Sequence, residues 1–416
     1  MSDLTVNVSM HLERAKAGDV GAMVSLADNY LHGWSLKRDP AKAEQWYRKA
    51  AEAGYAPAQF SLAQVYFEGD EDVPANPAEA FRWYRTAAEH GHPGAQAALA
   101  WCYQQGIAVE RDLAAAVHWY RQAAAGGQVI ACHNLGWLYA HGEGVARDPV
   151  QAAEWYRRAA EQGYPPSQLQ LGLACLRGHG VAANEAEAVH WLERAATGGH
   201  ARAQYNLALL YSGGRGLAPD ETQAAHWAQQ AAERGYARAQ FHLATLYATG
   251  LGIERDPVAG AHWYRAAAEQ GHARAQYALA RAYAAGTGVE RNPALSRQWL
   301  EQAAALGHPK AQYRLGRMYL GQGAERNFEL ARHWLETAVK QGHVYARYYL
   351  GMLWARGMGG ARDDAEAYRC IYSAALVTGD ERMRARADRL AARLSPEMLA
   401  QLRAQVEREN PQLIEE

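Results

Sequence analysis

The chain has 416 residues, of which 49% are hydrophobic and 21% are charged, as is typical of a folded protein and not of a disordered one. Lys plus Arg number 43 and Asp plus Glu number 44, so the formal net charge is -1. This balance argues against a protein that is held to DNA or RNA mainly by neutralising phosphates, because such binding requires a clustered basic excess.

The start of the chain and its cysteines indicate a compartment. The first residues lack the basic and apolar regions of a signal peptide, and no apolar stretch approaches the roughly 20 residues of a membrane helix. The four cysteines form no CxxC pair, so neither a zinc knuckle nor a redox dithiol is indicated. We expect a reduced, cytoplasmic protein, an expectation that a removed signal peptide would overturn.

The first predicted element is an N-terminal cap over residues 1–17, where residues 6–17 resemble the end of a helix that lacks its partner. From residue 18 to residue 379 the sequence repeats with a period of 36 residues, which predicts ten helix–loop–helix units in one solenoid. Each unit begins with helix A, which has the pattern Ala-Gln-aromatic-x-Leu-Ala/Gly-x-x-Tyr, as in residues 203–211. A glycine-rich loop follows, as in residues 142–148.

Helix B closes each unit and carries the clearest periodic signals. Asp or Asn stands in phase at its start, where a short side chain can accept from the free N–H groups of the first turn. In five units Pro comes next. Gly stands at the end of each of nine units, where a helix commonly exits through a left-handed residue. Nine tryptophans recur at steps of 37, six times 36, and 35 residues, namely Trp46, Trp83, Trp119, Trp155, Trp191, Trp227, Trp263, Trp299 and Trp334.

Ala stands four residues after each of these tryptophans and so shares its helical face, which predicts that both belong to the core. After residue 379 the sequence predicts a C-terminal cap over residues 380–416, built from charged helices at residues 380–394 and 396–409. A solenoid needs such polar caps to cover its last apolar surface.

These units resemble the Sel-one-like repeat (SLR) family, which is related to the tetratricopeptide repeats. The resemblance rests on units such as residues 239–265 and covers about nine-tenths of the chain. It implies an all-α fold, a right-handed α/α superhelical solenoid whose concave face binds proteins or peptides, and adaptor roles in signalling, envelope assembly, secretion or virulence. A secreted branch with a disulfide in each repeat is similar to penicillin-binding enzymes. This chain departs from that branch because its cysteines are not paired within repeats.

The motifs of common catalytic sites are missing from the sequence. It contains no Ser-x-x-Lys, GxSxG or HExxH motif and no P-loop. Five of the 17 histidines precede a repeat Trp and five follow an exit Gly, so they are spread along the units and do not converge on one metal ion. We therefore predict no enzymatic activity, no cofactor and no metal.

Binding residues should be the ones that vary between units. When the first Ala of the helix A pattern is numbered 1, positions 4, 7 and 11 vary and lie on one helical face. This stripe is acidic in the first units (Asp28, Glu68), aromatic in the middle (Trp101, Trp137) and basic at the end. The predicted partner-binding residues are Trp101, Asn134, Trp137, His141, Arg177, Asn206, His242, Arg281, Arg314 and Arg317.

Trp101 and Trp137 occupy position 7 in adjacent units, outside the core phase. Exposed tryptophans are favoured anchors at interfaces, so partner contact is one interpretation. The alternative is that they fill an irregular gap between helices.

Three functions are compatible with these observations. The first is a non-enzymatic adaptor that holds a protein or peptide in a concave groove, and one form of this function is the neutralisation of a secreted effector. The second is an envelope hydrolase or glycan-binding protein like the cysteine-rich branch. The third is a sensor of a small anion held between Arg281, Arg314 and Arg317, since guanidinium groups suit phosphate oxygens. The sequence makes no prediction of the oligomeric state.

Overall fold

The computed structural model describes residues 2–213, 216–321 and 326–410, with side chains from residue 9 onward. These residues form 23 α-helices and no strand. The helices are α1 Ser2–Lys16, α2 Val20–His32, α3 Pro40–Glu52, α4 Ala56–Glu68, α5 Pro77–Glu89, α6 Pro93–Gln105, α7 Leu113–Ala125, α8 Val129–His141, α9 Pro149–Glu161, α10 Pro165–Arg177, α11 Glu185–Thr197, α12 Ala201–Gly213, α13 Glu221–Glu233, α14 Ala237–Thr249, α15 Pro257–Glu269, α16 Ala273–Ala285, α17 Pro293–Ala305, α18 Pro309–Tyr319, α19 Phe328–Lys340, α20 Val344–Arg356, α21 Asp364–Thr378, α22 Glu381–Ala391 and α23 Pro396–Glu409.

The even-numbered helices from α2 to α20 are the predicted A helices, and the odd-numbered helices from α3 to α21 are the B helices. The all-α repeat fold is therefore confirmed. By their internal contacts the helices form two compact units, one with α1 to α11 and most of α12, the other with α13 to α23. The expectation of a single solenoid over residues 18–379 stays a prediction.

The start of every B helix is capped as the sequence predicts. The Asp or Asn side chain accepts from a backbone N–H of the first turn in all ten B helices, at Asp39, Asn76, Asp112, Asp148, Asn184, Asp220, Asp256, Asn292, Asn327 and Asp363. Each bond satisfies a donor that the helix itself leaves unpaired. The chain therefore restarts a helix at the same place in every repeat.

The core lies between the B helices and the A helices that flank them. The Ala four residues after each repeat Trp has no exposed surface in any of the nine units, so the helices approach closely there. The tryptophans themselves are less buried than expected: only Trp83 and Trp191 are in the core, at 9% and 6% exposure, and the other seven are half-buried. The next residue is deeper, as at Tyr47 and Tyr120, which are 1% and 0% exposed.

The half-buried tryptophans lie at the margin of the helix–helix contact, where polar side chains of the same helix cover them. The Lys49 ammonium lies 4.4 Å from the Trp46 ring centroid, and the Arg158 guanidinium lies 4.4 Å from that of Trp155. A Trp ring combines an apolar body with a polar edge and an electron-rich face, so it suits such a boundary. The expectation that all nine would be core residues was wrong in this respect.

A buried glutamine joins each B helix to the A helix that follows in seven units. Its side-chain Nε2 donates to the carbonyl oxygen eight residues earlier, in the last turn of the B helix, as from Gln276 to Ala268 over 3.1 Å. The others are Gln59, Gln96, Gln168, Gln204, Gln240 and Gln312. Carbonyls in a last helical turn lack a helical partner, so these bonds satisfy them and fix the start of the A helix.

The two ends differ from the repeats. Helix α1 extends from Ser2 to Lys16 and buries Ala15 against α2. At the other end Leu390 of α22 packs with Tyr368 and Ile371 of α21, which covers the last apolar face. Among the described residues, no helix combines the length and the apolar character that crossing a membrane requires.

Candidate functional site

The variable stripe of the A helices is graded in exposure. Position 11 is exposed in all ten units, whereas position 4 is half-buried in every unit except at Arg314. Among the predicted binding residues, Asn134, Asn206 and His242 therefore lie partly covered. Asn206 is engaged within its own helix, since its Nδ2 donates to the Arg202 carbonyl over 2.6 Å. Burial lowers the pKa of His242, which favours the neutral ring.

The acidic residues of the first units lie in one groove of about 490 Å³, together with His32 and Gln64. Asp28 is engaged there, because the Tyr47 hydroxyl donates to its carboxylate. Burial, and the nearby Asp28 carboxylate after it, raise the pKa of Tyr47, so this hydroxyl stays protonated and keeps donating. Glu68 lines the same groove and is exposed. The grouping that the stripe predicted for units one and two is thus present.

The two stripe tryptophans differ in their surroundings. Trp101 is 38% exposed, and its ring meets that of Phe67 edge-on with centroids 5.6 Å apart. Trp137 is half-buried and packs against the core cluster around α7 and α8. It also stacks on His141 at 4.3 Å, and the His141 Nδ1 lies 2.8 Å from the Trp137 carbonyl oxygen. Trp101 therefore fits the anchor interpretation, while Trp137 is in part a packing residue.

The basic residues of the later units also lie together. Arg281, Arg314 and Arg317 line a groove of about 510 Å³ between α16, α17 and α18, with Arg291 as a fourth cation. Arg281 and Arg314 also line an adjoining groove of about 450 Å³. Arg291 is not among the predicted binding residues, because it lies in the A-to-B loop and not on the stripe. Arg177, in another unit, is exposed at the end of α10.

Ten of the 17 histidines recur in phase with the repeat, and they have two structural roles. Those before a repeat Trp are exposed and meet that ring edge-on, as His190 meets Trp191 at 5.1 Å. Those after an exit Gly cap the A helices: their Nδ1 accepts from the N–H three residues on, at His92, His200, His272, His308 and His343. Over the described ranges, no three His, Cys, Asp or Glu side chains are arranged to hold a metal ion.

The cysteine thiols are buried and unpaired, and they lie in four different helices. Burial raises the pKa of Cys102 and of Cys370 to about 11, so these thiols stay protonated at neutral pH. A protonated thiol is a poor nucleophile and a poor metal ligand. The cysteines therefore behave as small core residues.

These features define an all-α repeat protein in which the recurring residues cap and pack the helices and the variable residues are gathered on the A helices. The chain belongs to the Sel1 repeat family, which confirms the resemblance. The family model, described as Sel1 repeat, matches ten segments, residues 20–55, 56–92, 93–128, 129–164, 165–200, 201–236, 237–272, 273–308, 309–343 and 344–376.

Solved structures of the same kind are similar over long stretches. The Escherichia coli protein c5321, a protective antigen of uropathogenic strains with an SLR fold, is 32% identical, with a TM-score of 0.65 over 97% of this chain and 94% of that one. A Sel1 repeat protein from Oxalobacter formigenes is also 32% identical, with a TM-score of 0.53 over 60% of this chain and 96% of that one. No curated protein sequence matches the chain.

Proposed function

We propose that the protein is a non-enzymatic scaffold that holds a protein or peptide partner against the variable stripe of its A helices. Sel1 solenoids are commonly interaction scaffolds. One observation carries the proposal: position 11 stays exposed in every unit while its side chain changes from unit to unit, as from Glu68 to His141 to Arg177. The recurring Asp, Gln, Gly and Ala residues are engaged in caps and packing, so specificity falls to the stripe.

Trp101 is the anchor that the proposal tests first. We expect Trp101→Ala to weaken partner binding about thirtyfold, since truncating an interface hot spot commonly costs about 2 kcal/mol. Because Trp101 is exposed, this substitution should leave the melting profile of the protein nearly unchanged. Trp137→Ala should lower both binding and stability, because that ring also packs on the core.

The experiment captures partners on the tagged chain, identifies them by mass spectrometry and measures rebinding of the purified partner by calorimetry. Tyr345→Ala is the matched control, since Tyr345 is an aromatic residue on an A helix, 51% exposed and outside the stripe. Equal affinities of the Trp101→Ala and wild-type chains would remove Trp101 from the interface and contradict the anchor interpretation.

The non-enzymatic part of the proposal rests on the chemistry of the side chains. The thiols are protonated and buried, and the motifs of nucleophilic catalysis are missing from the sequence. Turnover of nitrocefin or of muropeptides by the purified chain would contradict it and favour the hydrolase alternative. A location in the reducing cytoplasm belongs to the same proposal, and the four unpaired thiols support it.

A further inference from the structure

We infer that the basic groove, defined as the surface lined by Arg281, Arg291, Arg314 and Arg317, binds a carboxylate-rich segment of a protein partner. The inference rests on the proposed scaffold function and specifies the partner's chemistry at one place on the stripe. The groove has a volume of about 510 Å³ and lies between α16, α17 and α18. Its four cations come from two A helices and one loop.

No carboxylate in the described part of the chain compensates the charge of the basic groove. The described residues that line it include no Asp or Glu, and none of its four arginines forms an ion pair with another described residue. Arg297 of α17 and Arg332 of α19 differ, because each has a carboxylate on its own helix. Arg297 meets Glu301 at 2.9 Å, and Arg332 meets Glu336 at 3.0 Å.

These two B-helix cations are therefore neutralised within the fold, while the four cations of the basic groove remain available to a ligand. Four like charges that share one groove repel one another, and a bound anion would relieve that repulsion. Charge complementarity thus assigns an anionic occupant to this groove.

Aromatic rings hold two of the four guanidinium groups in place. The Arg314 guanidinium lies 5.6 Å from the Tyr277 ring centroid, and that of Arg317 lies 4.9 Å from the Tyr349 centroid and 5.9 Å from that of Tyr313. Arg317 also donates from Nη1 to the Tyr313 hydroxyl over 3.5 Å, which leaves its other N–H groups for a carboxylate. A guanidinium held against rings has less side-chain freedom left to lose on binding. The groove is thus arranged before its ligand arrives.

The floor of the groove favours a peptide over a free inorganic anion. Leu300 and Ala280 are buried beneath it, and the exposed Ala284 and Met318 add apolar surface between the charges. The methylene groups of Glu and the backbone of an extended peptide can cover such surface, whereas phosphate cannot. All four cations are arginines, which match the planar carboxylate with two parallel hydrogen bonds.

The test measures binding of a fluorescein-labelled octapeptide of alternating Glu and Gly to the full chain by fluorescence polarisation. The matching peptide with Gln in place of Glu controls for charge. We expect the double variant Arg314→Gln, Arg317→Gln to lose about tenfold or more in affinity, the combined value of two good exposed ion pairs, and to keep its melting profile. Binding to the wild-type chain should weaken as salt rises.

The control variant is Arg238→Gln with Arg274→Gln. It removes the same charge from exposed positions at the starts of α14 and α16, outside the groove. Equal losses in the two double variants would show a diffuse charge effect and overturn the inference, as would equal binding of the Glu and Gln peptides. Displacement of the peptide by inorganic phosphate at lower concentrations than by free glutamate would also overturn it, in favour of a phosphate ligand. If the peptide fails to bind while capture of a partner still depends on Trp101, only this inference is lost and the scaffold proposal stands.

Discussion

The glycine-rich loops place one glycine against the B helix of the preceding unit, and replacing it should be costly. Gly252 has a φ of +67°, and a Cβ built there would lie 1.9 Å from the Glu221 carbonyl oxygen, in the first turn of α13. An L-residue in this backbone region costs about 1–2 kcal/mol. The contact is with backbone and cannot be relieved by a rotamer change, so overpacking adds about 1–3 kcal/mol. We expect Gly252→Ala to destabilise its surroundings by about 2–5 kcal/mol.

Gly271→Ala is the matched control, because Gly271 has a φ of +78° but a Cβ there would meet nothing within 4 Å. It should cost only the about 1–2 kcal/mol of backbone strain. A repeat protein need not unfold in one step, so hydrogen exchange of the α13 and α15 amides is a better measurement than a single melting temperature. Equal loss of protection in the two variants would refute the loop-to-helix contact as the cause.

Three further outcomes are expected. Trp191→Ala should cost about 3–5 kcal/mol locally because the ring is only 6% exposed, and an unchanged urea profile would place Trp191 outside the core. Burial lowers the pKa of His133 from 6.5 to about 4, so the free energy of unfolding should be highest above pH 6.5 and should fall by up to about 3 kcal/mol as the pH falls towards 4. His133→Gln should flatten that part of the curve of stability against pH, and parallel curves for the variant and the wild type would contradict the burial of His133 as the cause. Gln276→Ala should cost about 1–3 kcal/mol, because the buried Ala268 carbonyl loses its partner, whereas Gln223→Ala, at an exposed position, should cost less.

The features predicted best from sequence are those that depend on neighbours a few residues away. The ten B-helix caps and the exit glycines follow from the chemistry of single turns, and all of them are where the sequence places them. The Gln276 bond spans eight residues and two helices, so it depends on the angle of the helix pair, which a periodic pattern does not specify. The capping role of His272 was missed because Ser, Thr, Asp and Asn are the usual signals for that position.

The sequence predicted which residues of the candidate site lie together better than it predicted how exposed each side chain is. The three predicted arginines were found by their helix A positions, and they do line one groove. Arg291 lines the same groove from a loop, which has no helix A position. Trp101 and Trp137 have the same position in their units and yet differ in burial. That difference depends on what each adjoining helix presents, Phe67 in one case and the core around α7 in the other.

The distances along the chain over which these units make contact bear on how the protein is synthesised. The glutamine bonds join residues eight apart, and the loop glycine contacts, such as Gly252 with Glu221 and Gly288 with Pro257, join residues 31 apart. Both separations are shorter than one repeat, so the contacts have a low contact order and can form quickly. A unit leaving the ribosome already has behind it the helices on which it packs. The growing chain can therefore bury its apolar faces one repeat at a time, which shortens the period in which they are exposed to aggregation.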